Sequence, residues 1–273
     1  MRVEWLSDHP GAMLLDAQQR RAAGDRETQL AHENALAVHR QHAAQAREAR
    51  DQAWAQRRWA AWARGVFAVW RARAQLPAAH LPASQPTDEE EKLAAGAAGE
   101  RLVADGLDRV LDDEWTLFRG YRNRRGEIDH VLLGPRGLFA IEVKNHNARI
   151  DVHGDQWWST KYDRYGNPVG PRREMSDGRG RSPSIQLNEP ASQLADFLRS
   201  RGHPVTIGRV VVLTHDRAQL RSCTNPTVHI CTSMQQIRKL LNASKVSVNS
   251  AERAELERLI VRDHQFHARR RSH

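Results

Sequence analysis

Two short apolar segments joined by a four-residue turn restrict the fold of this chain more than any other feature. Residues 126–133 (GEIDHVLL) and 138–144 (LFAIEVK) are rich in residues that favour strands, and residues 134–137 (GPRG) connect them. Proline at the second turn position with glycine beyond it favours a tight reversal of the chain. We therefore predict an antiparallel β-hairpin.

The second strand of this hairpin carries a carboxylate and an ammonium group on one face. Side chains alternate along a strand, so Glu142 and Lys144 face away from Ile141 and Val143. Burying such a pair costs on the order of several kcal/mol unless a metal, a ligand or hydrogen bonds compensate. The alternative is a solvated ion pair on an edge strand.

The hairpin register brings a second carboxylate beside Glu142. Reflection across the centre of the turn places Asp129 opposite Glu142, and two like charges at that distance repel unless a cation lies between them. Oxygen ligands without a His or Cys cluster favour Mg²⁺ or Mn²⁺ over zinc. Such a metal polarises a phosphodiester and activates water, and Lys144 would orient that water or neutralise developing charge. Otherwise Asp129 belongs to the chemistry of a turn.

The rest of the chain predicts a mixed α/β domain behind a helical extension. Residues 12–76 are rich in Ala, Gln and Arg without proline, which favours one or two long helices. A capping box at Thr87 begins another helix, which we expect to end near Leu111. We place a further helix at about 189–201, and the largely apolar run 206–214 predicts a buried central strand.

These patterns divide the 273-residue chain into four predicted segments. They are a helical Ala/Arg/Trp-rich extension (1–76), a proline-rich linker (77–91), the main domain (92–245), and a C-terminal helix with a basic tail (246–273).

The charge distribution indicates an anionic partner. The formal net charge is +9, and no acid occurs between Gln52 and Gln75, where tryptophans and arginines recur close to helical spacing. A basic aromatic helix suits nucleic acid or a membrane surface. Alternatively, its tryptophans pack on the main domain or on a second copy, which would make the chain a homo-oligomer.

Neither the cysteines nor the apolar segments indicate export or membrane insertion. The two cysteines, Cys223 and Cys231, form no disulfide framework or zinc pattern. The N-terminal segment lacks a signal-peptide pattern, and no run reaches the roughly 18 apolar residues of a membrane span. We expect a cytoplasmic protein without a transmembrane segment.

Four motifs in order resemble the nuclease-related domain (NERD), a branch of the PD-(D/E)xK nuclease superfamily. The resemblance covers roughly residues 92–215, and Trp157 adds to it. The motifs are Gly99-Glu100, residues 126–133, residues 139–145, and Asn188-Glu189-Pro190-Ala191-Ser192-Gln193, where one residue is inserted between the family's Asn and Pro.

The resemblance implies a restriction-endonuclease-like mixed sheet flanked by helices, with a metal at one edge. Asp129 and Glu142 would be the principal metal ligands, Glu100 a helical acid that reaches the metal, Lys144 the catalytic lysine, and Gln193 a helical residue that contacts the site or the phosphate.

The predicted function is Mg²⁺-dependent (or Mn²⁺-dependent) hydrolysis of phosphodiester bonds, in DNA rather than RNA. The alternative is a nucleic-acid-binding or assembly protein that retains the nuclease fold without cutting. Three histidines lie near the motif: we interpret His146 as a possible phosphate contact, and His130 and His153 as surface residues.

Overall fold

The computed structural model describes residues 1–74, 84–163 and 165–269. These residues form two compact units, one of Met1–Met13 with Lys92–His273 and one of Leu14–Glu91. The grouping differs from the predicted segments, because the first 13 residues and the C-terminal helix belong with the main domain. Residues 77–83 of the predicted linker lie outside the described residues.

The described residues confirm a mixed α/β fold preceded by a long helix. The helices are α1 (His9–Ala55), α2 (Trp59–Ala74), α3 (Asp88–Asp108), α4 (Pro183–Ser200), α5 (Met234–Ala243) and α6 (Ser250–Arg269). The strands are β1 (Arg2–Trp5), β2 (Thr116–Asn123), β3 (Gly126–Gly134), β4 (Gly137–Lys144), β5 (Arg149–His153), β6 (Gln156–Thr160), β7 (Arg173–Glu174), β8 (Ile207–Leu213), β9 (Gln219–Thr224) and β10 (His229–Cys231).

A six-stranded mixed sheet forms the centre of the main unit, in the order β1-β2-β3-β4-β8-β10. The predicted hairpin is confirmed, since β3 and β4 pair antiparallel around the turn. The predicted central strand is β8, which pairs parallel with β4. A second, four-stranded sheet has the strand order β7-β6-β5-β9.

Apolar residues fill both faces of the central sheet. On one face, residues of β3, β4 and β8 pack with α4 and α6 around buried Leu187 and Leu256. On the other face, Ile141 and Val143 pack with Val103 of α3 and Ile237 of α5. Because strand residues alternate between these faces, Glu142 and Lys144 belong to the face of α4.

Strand β1 and the first turn of α4 were not predicted. Strand β1 is only four residues long, and it pairs parallel with β2. Helix α4 begins at Pro183 rather than near Glu189, because Ser182 caps it by accepting a hydrogen bond from the Ile185 amide at 3.4 Å. Pro190, close to the predicted start, lies inside the helix.

In the second unit, α2 folds back along α1. Arg57 between them adopts a left-handed φ of 54°, which reverses the chain. A Cβ on Gly65 would lie 2.9 Å from the Arg50 Cα, so the two helices touch there. His39 donates a hydrogen bond from Nε2 to the Ala72 carbonyl at 2.5 Å, farther along the same contact.

Candidate active site

The site lies where β3 and β4 separate. Their ladder runs from the turn to the pair His130 and Ile141, whereas β4 remains paired with β8 as far as Lys144. Beyond the ladder, the Asp129 carboxylate accepts a hydrogen bond from the Val143 amide at 2.7 Å. The Asp129 side chain thus replaces a strand partner and stands beside Glu142, at the position that the hairpin register predicts.

Helix α3 carries Glu100 to the same end of the sheet. A Cβ on Gly99 would lie 2.8 Å from the Thr214 Oγ1 and 3.1 Å from the Asn145 Cβ, so only glycine allows this approach. The Asn145 side chain also donates to the Ala95 carbonyl at 2.7 Å. From the sheet, His130 donates from Nε2 to the Glu100 carbonyl at 3.1 Å. These contacts fix the backbone of Glu100.

The three carboxylates interact electrostatically. Burial raises the pKa of Asp129 well above its usual range, and the Glu142 and Glu100 charges add to that rise. Burial raises the pKa of Glu100 to about 7, helped by Glu127 and Glu142 and opposed by the Arg119 guanidinium. Like charges held together in a partly desolvated place repel one another, and a cation beside them would relieve that repulsion.

The Lys144 ammonium is the cation that the structure brings to these acids. Its Nζ donates to the Glu142 Oε1 at 2.7 Å and to the Gln186 Oε1 at 2.9 Å. Burial would lower the pKa of Lys144, but the neighbouring Glu142 and Asp129 carboxylates raise it. Lys144 is therefore protonated at neutral pH, which suits it to donate hydrogen bonds and rules it out as a resting general base.

The oxygen atoms that these side chains offer are of the chemical type that binds a hard divalent cation. Asp129, Glu142 and Glu100 offer carboxylate oxygens, which Mg²⁺ and Mn²⁺ prefer. However, no group of three His, Cys, Asp or Glu side chains among the described residues is already gathered as a metal site. Because Lys144 already bonds the Glu142 Oε1, a bound ion would have to use the other carboxylate oxygen or displace Lys144.

Comparison with protein families gave a match over the segment that carries this site. Residues 95–214 match the family model of the nuclease-related domain. This segment is a nuclease-related domain. Comparison with curated proteins and comparison with solved structures each found no match. Across the part of the chain that the structure describes, no helix combines the length and apolarity needed to cross a membrane.

Within the nuclease-related domain, the amide next to Lys144 comes from Gln186 and not from Gln193. Gln193 accepts a hydrogen bond from the exposed Arg124 side chain at 2.7 Å. The two glutamines share one face of α4, but seven residues separate them by about 10 Å along the helix. The structure therefore does not bring Gln193 to the acids. Ser182-Pro183, read as a helix start, would have pointed to Gln186.

His130 corrects the interpretation of the histidines. It is fully buried beneath α3, and burial lowers its pKa to about 4, with Arg119 acting in the same direction. It is therefore neutral at pH 7 and holds the Glu100 backbone. His146 and His153 are exposed. Neighbouring protein atoms partly desolvate the His146 ring even so, which lowers its pKa, and the Lys144 and Lys161 charges act in the same direction.

Trp157 has a structural role in the nuclease-related domain. Its side chain is fully buried, and its indole Nε1 donates to the Ser184 Oγ at 2.6 Å. This bond fixes the first turn of α4, from which Gln186 reaches Lys144. Trp157 therefore contributes to the site indirectly, because it positions α4 and with it Gln186.

The N-terminal segment adds charged groups that sequence reasoning missed. The Arg119 guanidinium stacks on the Trp5 ring at 3.7 Å, and Ser7 donates to the Gly120 carbonyl at 2.7 Å. The Asp8 charge contributes to raising the pKa of Glu100. The sequence gives no local signal for these N-terminal contacts, because β1 is short and lies outside the nuclease-related domain.

The raised pKa of Glu100 predicts how stability depends on pH. The ordinary pKa is 4.5 and the folded value is about 7, so the folded state binds this proton more tightly. The stabilisation of the folded state by this proton is complete below pH 4.5 and is lost as the pH rises through 7. We expect the free energy of unfolding of the metal-free protein to fall by on the order of 2 kcal/mol across that window.

Thermal and urea unfolding of the metal-free protein at a series of pH values measure this effect. Glu100→Gln should reduce the dependence, to which Asp129 also contributes, whereas Glu174→Gln, an exposed control on β7, should leave it unchanged. Equal slopes for the wild type and Glu100→Gln would show that Glu100 is not the group responsible.

Proposed function

We propose that this chain is a Mg²⁺-dependent nuclease that hydrolyses phosphodiester bonds in DNA, with Mn²⁺ able to replace Mg²⁺. The observation that carries the proposal is the convergence of Asp129, Glu142 and Glu100 with Lys144 at the separated end of β3 and β4. The nuclease-related domain match over the same residues supports it.

Each side chain has a distinct role in this proposal. Asp129 and Glu142 would hold the ion from two neighbouring strands, and Glu100 would complete the ligand set from α3. When bound, the metal supplies a Lewis acid and lowers the pKa of a coordinated water. Lys144, charged and directed by Gln186, stabilises negative charge that develops on the phosphate.

Basic and aromatic side chains in and next to the second sheet favour a polyanionic substrate. The Arg149 guanidinium stacks over Tyr162 at 3.9 Å, and the Arg172 guanidinium stacks over Trp158 at 4.3 Å. Lys161 lies close enough to His146, which follows Lys144 by two residues, to affect its pKa. This charge would extend phosphate binding beyond the acids.

A second candidate is a nucleic-acid-binding protein that keeps the fold without cutting. The observation that favours it is the Glu142–Lys144 ion pair, which already neutralises one carboxylate. The described residues also lack a ready three-ligand group. This candidate predicts salt-sensitive binding that needs no metal.

A cleavage assay separates the two candidates. The purified full chain is incubated with supercoiled plasmid, linear duplex, single-stranded DNA and single-stranded RNA, each with Mg²⁺, Mn²⁺ or a chelator. We expect DNA cleavage that requires the metal. Salt-sensitive binding without cleavage under any condition would favour the second candidate, and preferential cleavage of RNA would correct the substrate.

The two glutamines of α4 give a matched pair of variants. Gln186→Ala removes a hydrogen bond to a charged ammonium, so we expect the rate of DNA cleavage to fall by about tenfold. Gln193→Ala should leave the rate unchanged, because Gln193 contacts Arg124. Single-turnover cleavage rates measure both, and a larger loss for Gln193→Ala would contradict the assignment.

A further inference from the structure

Helix α2 buries one face against α1 and leaves the opposite face uncovered. Gly65 and Ala72 lie toward α1, as their contacts with Arg50 and His39 show. Val69 on that side is buried. In the part of the chain that the structure describes, most other side chains of this helix are exposed to solvent.

The uncovered face carries a stripe of large apolar side chains. Trp59, Phe67 and Trp70 are 59%, 60% and 64% exposed, although the Trp54 ring of α1 packs against Trp59 at 5.2 Å, and Val66 is also exposed. With Ala63 they recur at the spacing of one helix face and occupy an arc of about 100°. So much exposed aromatic surface on one short helix is unusual unless it is covered by something else.

Arginines border the stripe without any acid. Residues 52–87 contain five arginines and no Asp or Glu. At helical spacing, Arg64 and Arg71 lie on one flank of the stripe, and Arg73 lies on the other. All three are exposed. A partner must therefore accept apolar side chains at its centre and offer negative charge on both sides.

We propose that α2 lies on the surface of a bilayer that contains anionic lipid, with the stripe buried at the boundary between headgroups and acyl chains. Tryptophan and phenylalanine between arginines match this environment. A second copy is disfavoured, because joining two stripes face to face would bring their arginines together. Nucleic acid is disfavoured, because Val66 and Ala63 offer no surface on which bases stack.

This proposal is independent of the proposed nuclease activity, and vesicle co-sedimentation of the full chain tests it. One set of vesicles contains phosphatidylcholine alone, and the other contains phosphatidylcholine and phosphatidylglycerol in equal parts. The double variant Phe67→Glu/Trp70→Glu alters the stripe. The double variant Leu30→Glu/Val38→Glu is the matched control, because Leu30 and Val38 are exposed apolar residues of α1.

We expect the wild type and the control to sediment with the anionic vesicles, and the stripe variant to bind at least about tenfold more weakly. Circular dichroism checks that both variants remain helical. Three outcomes would overturn the proposal. They are the absence of wild-type binding to anionic vesicles, equal binding by the stripe variant, and a stripe-dependent loss of self-association or DNA binding in place of vesicle binding.

Discussion

Replacing Asp129 with asparagine is expected to reduce DNA cleavage by about a thousandfold or more while leaving the fold intact. Asparagine keeps an oxygen that can accept the hydrogen bond from the Val143 amide, so the end of β4 stays in place. It removes a negative charge that a divalent metal would need. Glu142 and Glu100, whose charges raise the pKa of Asp129, would then face a neutral neighbour.

The same substitution should not lower the thermal stability of the metal-free protein, because it relieves repulsion in a buried place. The substitution would thus lower activity without lowering stability, as is common at sites whose side chains serve function at a cost to folding stability. Cleavage kinetics and melting curves measure the two effects. A variant that unfolds more easily and still cuts at the wild-type rate would contradict the role given to Asp129.

Replacing Lys144 with glutamine is expected to lower the cleavage rate by about a hundredfold to a thousandfold. Glutamine can still donate a hydrogen bond to Glu142, but it carries no charge to stabilise the phosphate. Substrate binding should change much less than the rate, because the contribution of Lys144 is largest in the transition state. Single-turnover rates over a range of enzyme concentrations separate the two.

Lys161→Gln is the matched control, since Lys161 is an exposed lysine near the site. It should weaken DNA binding in a salt-dependent manner and leave the rate at saturation unchanged. If both lysine variants behaved alike, Lys144 would be only a phosphate-binding residue.

The sequence was sufficient to predict the hairpin, its register and the central strand, because these depend on local patterns. Alternation and a Pro-Gly turn determine which residues of β3 and β4 oppose each other. The position of Asp129 beside Glu142 follows from that register alone. The apolar run of β8 was recognisable because a central parallel strand is buried on both faces.

Features that depend on packing between distant segments were not predictable in this way. Gln186 faces Lys144 because Ser182 starts α4 earlier than the predicted start near Glu189. His130 is buried because α3 packs on the sheet, with Gly99 against Val143 and Glu100 bonded to His130, and no local pattern encodes these contacts. Strand β1 and Asp8 reach the site from more than 90 residues before Glu100 in the chain.

Crystals of the full chain soaked in Mn²⁺ provide the most direct test of the carboxylate cluster as a metal site. The anomalous signal of manganese locates the ion without reference to the protein. We expect one peak within coordination distance of Asp129 and Glu142, with Glu100 turned toward it and Lys144 displaced from Glu142. No peak at this position, with Lys144 still bound to Glu142 in a protein that cuts DNA, would contradict the proposed site.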